Sequence, residues 1–315
     1  MDSAELRLFT DAFRQSLTRQ EDGVDEALAA MDWRAALADD PAAATRAVFG
    51  VLGELNAGSS ALDDVLTFAL GLDPSTERAV VLPPIGRHTP PATYDRAQLT
   101  IRGLASARVD TATEVLVVVD GGKQHFLCRL PAGAVEPTPV HGIDPGGGWR
   151  AVHGQVTVSE IKAVSWDEVV AAGQLALAQQ LTGAARAMLG LAREHAVSRS
   201  QFDRPIASFQ AVRHKLAESL VAVEGAEAVL DAGWSDRTPF AATMAKIAAG
   251  TAARTVAKHA QQVLAGMGFT SEHPFHRYLK RTMLLDALLG SSAALRREVG
   301  AAVVDRRALP PLLPL

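Results

Sequence analysis

From Trp166 almost to the end of the chain, apolar residues recur at spacings of three and four, and alanine fills most of the intervening positions. The pattern divides into four long segments, 166–197, 208–232, 239–265 and 274–298. Helices of this length are apolar around too much of their circumference to lie singly on a surface. They bury their faces against one another, and the simplest arrangement that does so is a helical bundle.

The rest of the chain is read against that bundle. Residues 1–77 carry a helical period as well: Leu6, Phe9, Phe13 and Leu17 make one apolar face. Segments 25–37 and 42–70 repeat it less cleanly, with Pro41 and Gly58-Ser59-Ser60 as breaks. From 78 to 165 the character changes to short valine-rich runs, AVVLPP, QLTIRG, EVLVVVD, HFLCRL and GQVTVSEI, separated by Gly, Pro and Asp. That is a strand-and-turn signature. The expected organisation is therefore mostly α with a middle β-domain: helices over 1–77, a small β-barrel or sheet over 78–165, and a four-helix bundle over 166–315. The tail LPPLLPL reads as a packed extended end.

Composition narrows the function. The chain has 315 residues, 48% hydrophobic and 21% charged, with a net charge of −4, so nothing pulls it as a whole toward nucleic acid or an acidic membrane. No apolar run is long enough for a membrane span, and the N-terminus lacks the basic and apolar regions of a secretory signal. Cys128 is the single cysteine, which excludes an internal disulfide and a cysteine metal cage and suits a cytoplasmic setting. There is no phosphate-binding P-loop and no dinucleotide fingerprint. Gly146-Gly147-Gly148 reads as a hinge or turn, and no serine-nucleophile elbow occurs. His273 and His276 flank Pro274 and read as exposed turn residues, not as metal ligands.

Two stretches are more specific. SRSQFDRPIASFQ, 198–210, joins two helical segments yet holds two arginines and two phenylalanines. Arg199 offers a planar cation suited to phosphate, Phe202 and Phe209 offer a wall for a planar ring, Pro205 stiffens the turn, and Ser208 is placed to cap the next helix. The plainer reading is a helix–helix turn with arginines in water and phenylalanines in the core. The second stretch, QQVLAGMGFT, 261–270, ends a long helix with two glycines that let a ligand approach bare backbone or simply form a C-cap.

Together the two stretches resemble the acyl-CoA dehydrogenase family. SRSQFDRPIASFQAVRHKLAE resembles its R-x-x-F-G-x-P-[IL]-x-x-[FH]-Q segment, and QQVLAGMGFTSEHPFHRYLKR its Q-x-x-G-G-x-G-[FY] segment, in the same order and at similar separation. The resemblance is strong over 166–298, weak over 78–165 and architectural over 1–75. It implies a helical, β, four-helix-bundle fold and an FAD-dependent oxidation of the Cα–Cβ bond of an acyl-CoA thioester. A glutamate takes the α-proton, and an electron-transferring flavoprotein is the implied acceptor. In the family these bundle segments touch the FAD of a neighbouring subunit. The resemblance thus implies that Arg199 meets the pyrophosphate, that Gln201, Phe202, Ile206 and Phe209 line the adenosine and ribityl side, and that Gln262 and Gly266 complete the pocket. Asp203 stands where glycine is usual, beside Arg204 as a neutralising charge.

The departures point further. Aligned without gaps, the family's glutamate falls on Leu289, which accepts no proton. The alternative base position of some members falls on Trp166, beside Asp167 and Glu168. The flavin-ring stretches are replaced by VLPPIGRHTPP and GLASARVD, and the N-terminal helical region is short. This pattern, with the F-H-R-Y…L-L-G run, resembles the non-catalytic subunit of the heterotetrameric (α2β2) acyl-CoA dehydrogenases of bacterial steroid degradation. Such a subunit has no catalytic residue of its own and completes the FAD site of a glutamate-bearing partner. Two other readings stay open: a homomeric enzyme with a displaced base, Glu168 or Asp286, the latter read as a solvated helix residue; and a non-enzymatic scaffold on the same fold.

Overall fold

The computed structural model describes residues 3–19, 23–95, 98–157 and 161–306. The tail LPPLLPL and part of the GQVTVSEI run lie outside the described residues.

Five helices come first: α1 (Ser3–Arg19), α2 (Val24–Ala30), α3 (Trp33–Asp39), α4 (Pro41–Glu54) and α5 (Ala61–Ala69). The apolar face of α1 is the expected one, with Phe13 fully buried and Phe9 and Leu17 packed beside it. Segment 25–37 is two helices, because Asp32 turns the chain at φ 52°. At the start of α4, Asp40 accepts the Ala43 amide at 3.0 Å and Pro41 takes the first helical position, a strong N-terminal signal.

An eight-stranded sheet follows: β1 (Arg78–Val80), β2 (Ala92–Asp95), β3 (Gln98–Ala105), β4 (Glu114–Asp120), β5 (His125–Pro131), β6 (Glu136–Pro139), β7 (Arg150–Thr157) and β8 (Lys162–Val164). The strand order is β6-β7-β3-β2-β4-β5-β8, with β1 parallel to β4. The period-2 alternation of EVLVVVD sets the two faces. Leu116 and Val118 join the large core shared with the helices, while Val115, Val117 and Val119 build a second core within the sheet, with Leu99, Ile101 and Val152. Cys128 is buried there, and burial pushes its thiol up to about 11.

The bundle is α6 (Trp166–Ser198), α7 (Gln210–Asp236), α8 (Pro239–Leu264) and α9 (Phe275–Ala287), followed by α10 (Ser292–Arg306). The expected helix over 274–298 is two helices, separated by a turn in which Leu289 (φ 52°) and Gly290 (φ 94°) are left-handed. Between α6 and α7 lies a minimal hairpin, β9 (Ser200–Gln201) and β10 (Arg204–Pro205). No helix among the described residues is long and apolar enough to cross a membrane.

The helix α6 is the spine: α4, α5, α7, α8 and α9 all pack on it. Its crossing with α4 is backbone on backbone. A Cβ at Gly53 would stand 2.1 Å from the Gln180 carbonyl oxygen, and one at Gly183 would stand 2.7 Å from that of Gly50. Only glycine permits that approach.

The N-terminal helices are tied to the sheet by buried charge. Asp64 accepts from Trp33 Nε1 at 2.9 Å and from Arg108 Nη1 at 2.6 Å. Arg108 Nε donates to Ser60, whose hydroxyl donates to Asp25. Asp63 accepts from the Val80 amide at 2.7 Å and the Ser106 hydroxyl at 2.6 Å. Arg108 and Ser106 come from the GLASARVD stretch, which here serves this junction.

Candidate functional site

The hairpin after α6 is built from its turn outward. Phe202 and Asp203 both have positive φ, 54° and 62°, the signature of a two-residue type I′ turn. Aspartate tolerates that region; phenylalanine does so at a cost of about 1–2 kcal/mol. The strain places Phe202 in solvent, 84% exposed, so the plain helix-turn reading with both phenylalanines in the core does not hold. Its ring meets Phe209 edge to face, with centroids 6.1 Å apart and planes at 82°. The Arg204 guanidinium lies over Phe209, 4.4 Å from its centroid, and not as a cover for Asp203. Arg199 and Gln201 are exposed, Ile206 is half-buried, and the Ile206 amide donates to the Arg199 carbonyl at 2.8 Å. Ser208 does not cap α7: it ends the 3-10 turn Ile206–Ser208, and the cap position is Phe209, which makes no side-chain cap.

The second stretch stands at the same end of the bundle. Short connections make α7 antiparallel to both α6 and α8, so α6 and α8 finish together; Gln174 and Thr243, both near their helix starts, bond at 3.1 Å. The helix α8 ends at Leu264, and Ala265–Phe269 form a 3-10 turn in which Ala265 has positive φ (51°). Gln262 and Gly266 are exposed, and open space lies where a Gly266 side chain would be. Phe269 is 79% exposed. His195, at the end of α6, is pushed below its ordinary value by burial and then by the charges of His273 and Arg199. His273 and His276 are half-buried, not exposed: His273 Nδ1 accepts the Phe275 amide, and His276 Nδ1 bonds the His273 carbonyl at 2.7 Å, so the pair organises the start of α9.

The residues at this end suit a dinucleotide. An exposed guanidinium matches phosphate oxygens, an aromatic and aliphatic wall matches rings, and open backbone at Gly266 admits close approach.

At the other end, where N-terminal helices, sheet and bundle meet, little space is left. Arg281 of α9 donates to Asp144 at 2.9 Å and to the Asn56 carbonyl at 2.8 Å. Trp149, Phe49, Leu66 and Leu177 complete the walls of a cavity of only about 30 Å³. That is space on the order of one water, against roughly 300–1,000 Å³ for a cofactor pocket. Leu289 is 1% exposed and packs on Gly173 and Leu66, and its carbonyl accepts from Gln174 at 2.9 Å. The turn is held again by fully buried Lys246, whose Nζ donates to the Asp286 and Gly290 carbonyls at 2.7 and 3.2 Å.

Neither alternative carboxylate faces this interior. Glu168 is exposed at the rim of an outer groove that includes Phe68, Trp234 and Arg237. Asp286, expected to be solvated, is partly buried and accepts from the Ser292 amide at the start of α10 and from Arg254. Gly146–Gly148 form the expected turn, with Gly148 left-handed. The roles of Arg281 and Asp144 were not visible in the sequence: the partners lie 137 residues apart and belong to no motif. Among the described residues, no histidine, cysteine or carboxylate cluster could hold a metal ion.

Comparison with known proteins follows this division. Residues 167–304 match the acyl-CoA dehydrogenase C-terminal domain family. The acyl-CoA dehydrogenase IpdE2 of Mycobacterium tuberculosis is 39% identical over 127 residues, a stretch that spans 40% of this chain and 40% of that protein. Over nearly the whole length the fold is that of solved acyl-CoA dehydrogenases. The Tcur3481-Tcur3483 steroid ACAD superposes with a TM-score of 0.78 at 19% identity, covering 97% of this chain and 99% of that one. A chain of the ChsE4-ChsE5 complex from Mycobacterium tuberculosis gives 0.74 at 20%, covering 98% and 96%.

Proposed function

We propose that this chain, whose residues 167–304 form an acyl-CoA dehydrogenase C-terminal domain, is the base-free subunit of a heteromeric, FAD-dependent acyl-CoA dehydrogenase. It completes the FAD site of a glutamate-bearing partner that introduces an α,β double bond into an acyl-CoA. FAD, when bound, supplies the hydride acceptor.

The observation that carries the reading is the hairpin: a strained backbone at Phe202 holds a large aromatic side chain outward, 84% exposed and met in its own chain by an edge-to-face contact with Phe209. Strain kept against an exposed apolar ring is the mark of a surface shaped for something else. Arg199 would hold the pyrophosphate by charge-assisted hydrogen bonds, while Gln201, Phe202, Ile206 and Phe209 line the rings and Gln262 and Gly266 close the far side. The small space between N-terminal helices, sheet and bundle, lined by Arg281 and Asp144, supports the same reading, as does a leucine, Leu289, at the position where the family resemblance aligns the base. The positions of Glu168 and Asp286 give no support to a displaced base. A steroid-derived acyl group is favoured by the steroid ACAD among the structural neighbours, and a partner subunit by the ChsE4-ChsE5 complex.

The test is the flavin absorbance of the purified chain alone and co-purified with a glutamate-bearing acyl-CoA dehydrogenase subunit. Flavin in the complex and none on the chain alone is expected, and Arg199→Ala lowers the flavin content of the complex. Stoichiometric flavin on the isolated chain, or acyl-CoA oxidation by it, overturns the reading.

A further inference from the structure

On α6, Gly173 and Leu177 face the interior beside Leu289. At about 100° per residue, Glu168, Ala171 and Leu175 lie on the other side of the helix. There α3, α5, the start of α4 and the end of α7 enclose the outer groove, with a volume of about 270 Å³. Its floor is apolar: Val65, Leu175 and Trp234 are buried, and Phe68, 36% exposed, makes one wall. The volume falls just under the roughly 300–1,000 Å³ of small-molecule sites, so an occupant is small.

Three polar groups on this groove lack partners among the described residues. Thr45 is 2% exposed, yet its hydroxyl makes no hydrogen bond. Thr182 and Thr251, also inside helices, return theirs to the carbonyl four residues back. A buried hydroxyl left unpaired costs free energy that a ligand atom recovers. At the rim, Arg237 ends α7 at φ 55° and donates its Nε to the Trp234 carbonyl at 3.1 Å, which leaves both terminal nitrogens free. Glu168, in the first turn of α6, is exposed and its carboxylate bonds nothing. Two unpaired charges of opposite sign above an apolar floor define the ligand's head. A bare carboxylate suits Arg237 and is repelled by Glu168; a bare amine does the reverse. A zwitterion satisfies both through charge-assisted hydrogen bonds. Phe68 and Trp234 suit a flat ring, and the Thr45 hydroxyl, which donates or accepts, suits a ring that carries a polar atom.

We propose that this groove binds an aromatic α-amino acid whose ring bears a hydroxyl or an N–H, with its carboxylate on Arg237, its ammonium on Glu168 and its ring polar atom on Thr45. The site does not depend on the flavin reading, because it uses the other side of α6 and none of the hairpin residues.

The test is titration calorimetry with L-tyrosine and L-tryptophan, on the full chain and on its complex with the partner subunit. One molecule bound per chain is expected. Tyramine, which lacks the carboxylate, and hydroxyphenylpropionate, which lacks the ammonium, are expected to bind at least roughly tenfold more weakly than tyrosine, as is tyrosine to Arg237→Gln or Glu168→Gln. L-phenylalanine, without a ring polar atom, is expected to bind several-fold more weakly than tyrosine, and that difference disappears in Thr45→Val. Thr45→Val removes a hydroxyl without a partner and fills the same space, so its melting temperature is expected to be no lower than that of wild type, which verifies folding. No binding of tyrosine or tryptophan in either preparation overturns the proposal. So does equal binding of the singly charged analogues, or a preference for tyrosine over phenylalanine that survives Thr45→Val. Arg237→Gln and Thr45→Val leave the flavin content of the partner complex unchanged, so failure here and failure of the flavin reading are separate results.

Discussion

Phe202 spends about 1–2 kcal/mol on a left-handed backbone and recovers only part of it from the edge-to-face contact with Phe209, worth about 0.5–1.5 kcal/mol. Glycine removes both terms. Phe202→Gly is therefore expected to shift the melting temperature by no more than about 3 °C, while the flavin retained by the partner complex falls several-fold. A loss of stability with flavin unchanged would make Phe202 a packing residue. The residue types of this surface were legible in the sequence, since Arg199, Phe202, Gln262 and Gly266 are motif residues. The geometry was not, because a phenylalanine at positive φ contradicts local preference and follows from the hairpin as a whole. Leu289 shows the converse. Alignment alone located it, but its burial against Gly173 and Leu66 comes from α5 and α6, far off in the chain.

Among elements, the long helices were the most legible. Segment 166–197 appears as α6, Trp166–Ser198, because its apolar period runs unbroken. Segment 274–298 misleads because its period continues across a turn fixed by tertiary bonds. Lys246 and Gln174 hold the carbonyls of Asp286, Leu289 and Gly290, and neither donor lies nearby in sequence. The strands β2 and β6 lacked a signal for different reasons. The four residues of β2 include a single buried side chain, and β6 contains Pro137 and Pro139, which an edge strand tolerates. Burial pushes Lys246 down to about 8, so the folded chain binds fewer protons than the unfolded one between pH 8 and 10.5. Stability should rise with pH across that window. Lys246→Met leaves the Asp286 and Gly290 carbonyls without this donor. It is expected to lose about 1–3 kcal/mol at pH 7 in urea titrations and to lose the alkaline rise as well.

On the scale of the whole molecule, the contact between N-terminal helices and sheet turns on Asp63. Burial raises its carboxyl to about 6, against the opposing effects of Arg108, Ser106 and the Val80 amide. The folded chain thus holds a proton that the unfolded chain releases between about pH 4 and 6, and stability falls as pH rises through that interval, by up to about 3 kcal/mol. Asp63→Asn keeps the shape and the bond from the Val80 amide, with its Nδ2 donating to the Ser106 hydroxyl oxygen instead of an oxygen accepting from it, so the variant should show a flatter profile over that interval. An identical slope in the two proteins would remove Asp63 as its source.

The spine formed by α6 also has a consequence for synthesis. The apolar faces of α4 and α5 emerge from the ribosome long before the helix that covers them, and Gly53 meets the Gln180 backbone only after well over a hundred further residues. At roughly 5–20 residues per second, that is an interval on the order of ten seconds in which Phe49, Leu52 and Leu66 have no lasting cover. The first five helices are therefore expected to depend on a holding chaperone until α6 covers them.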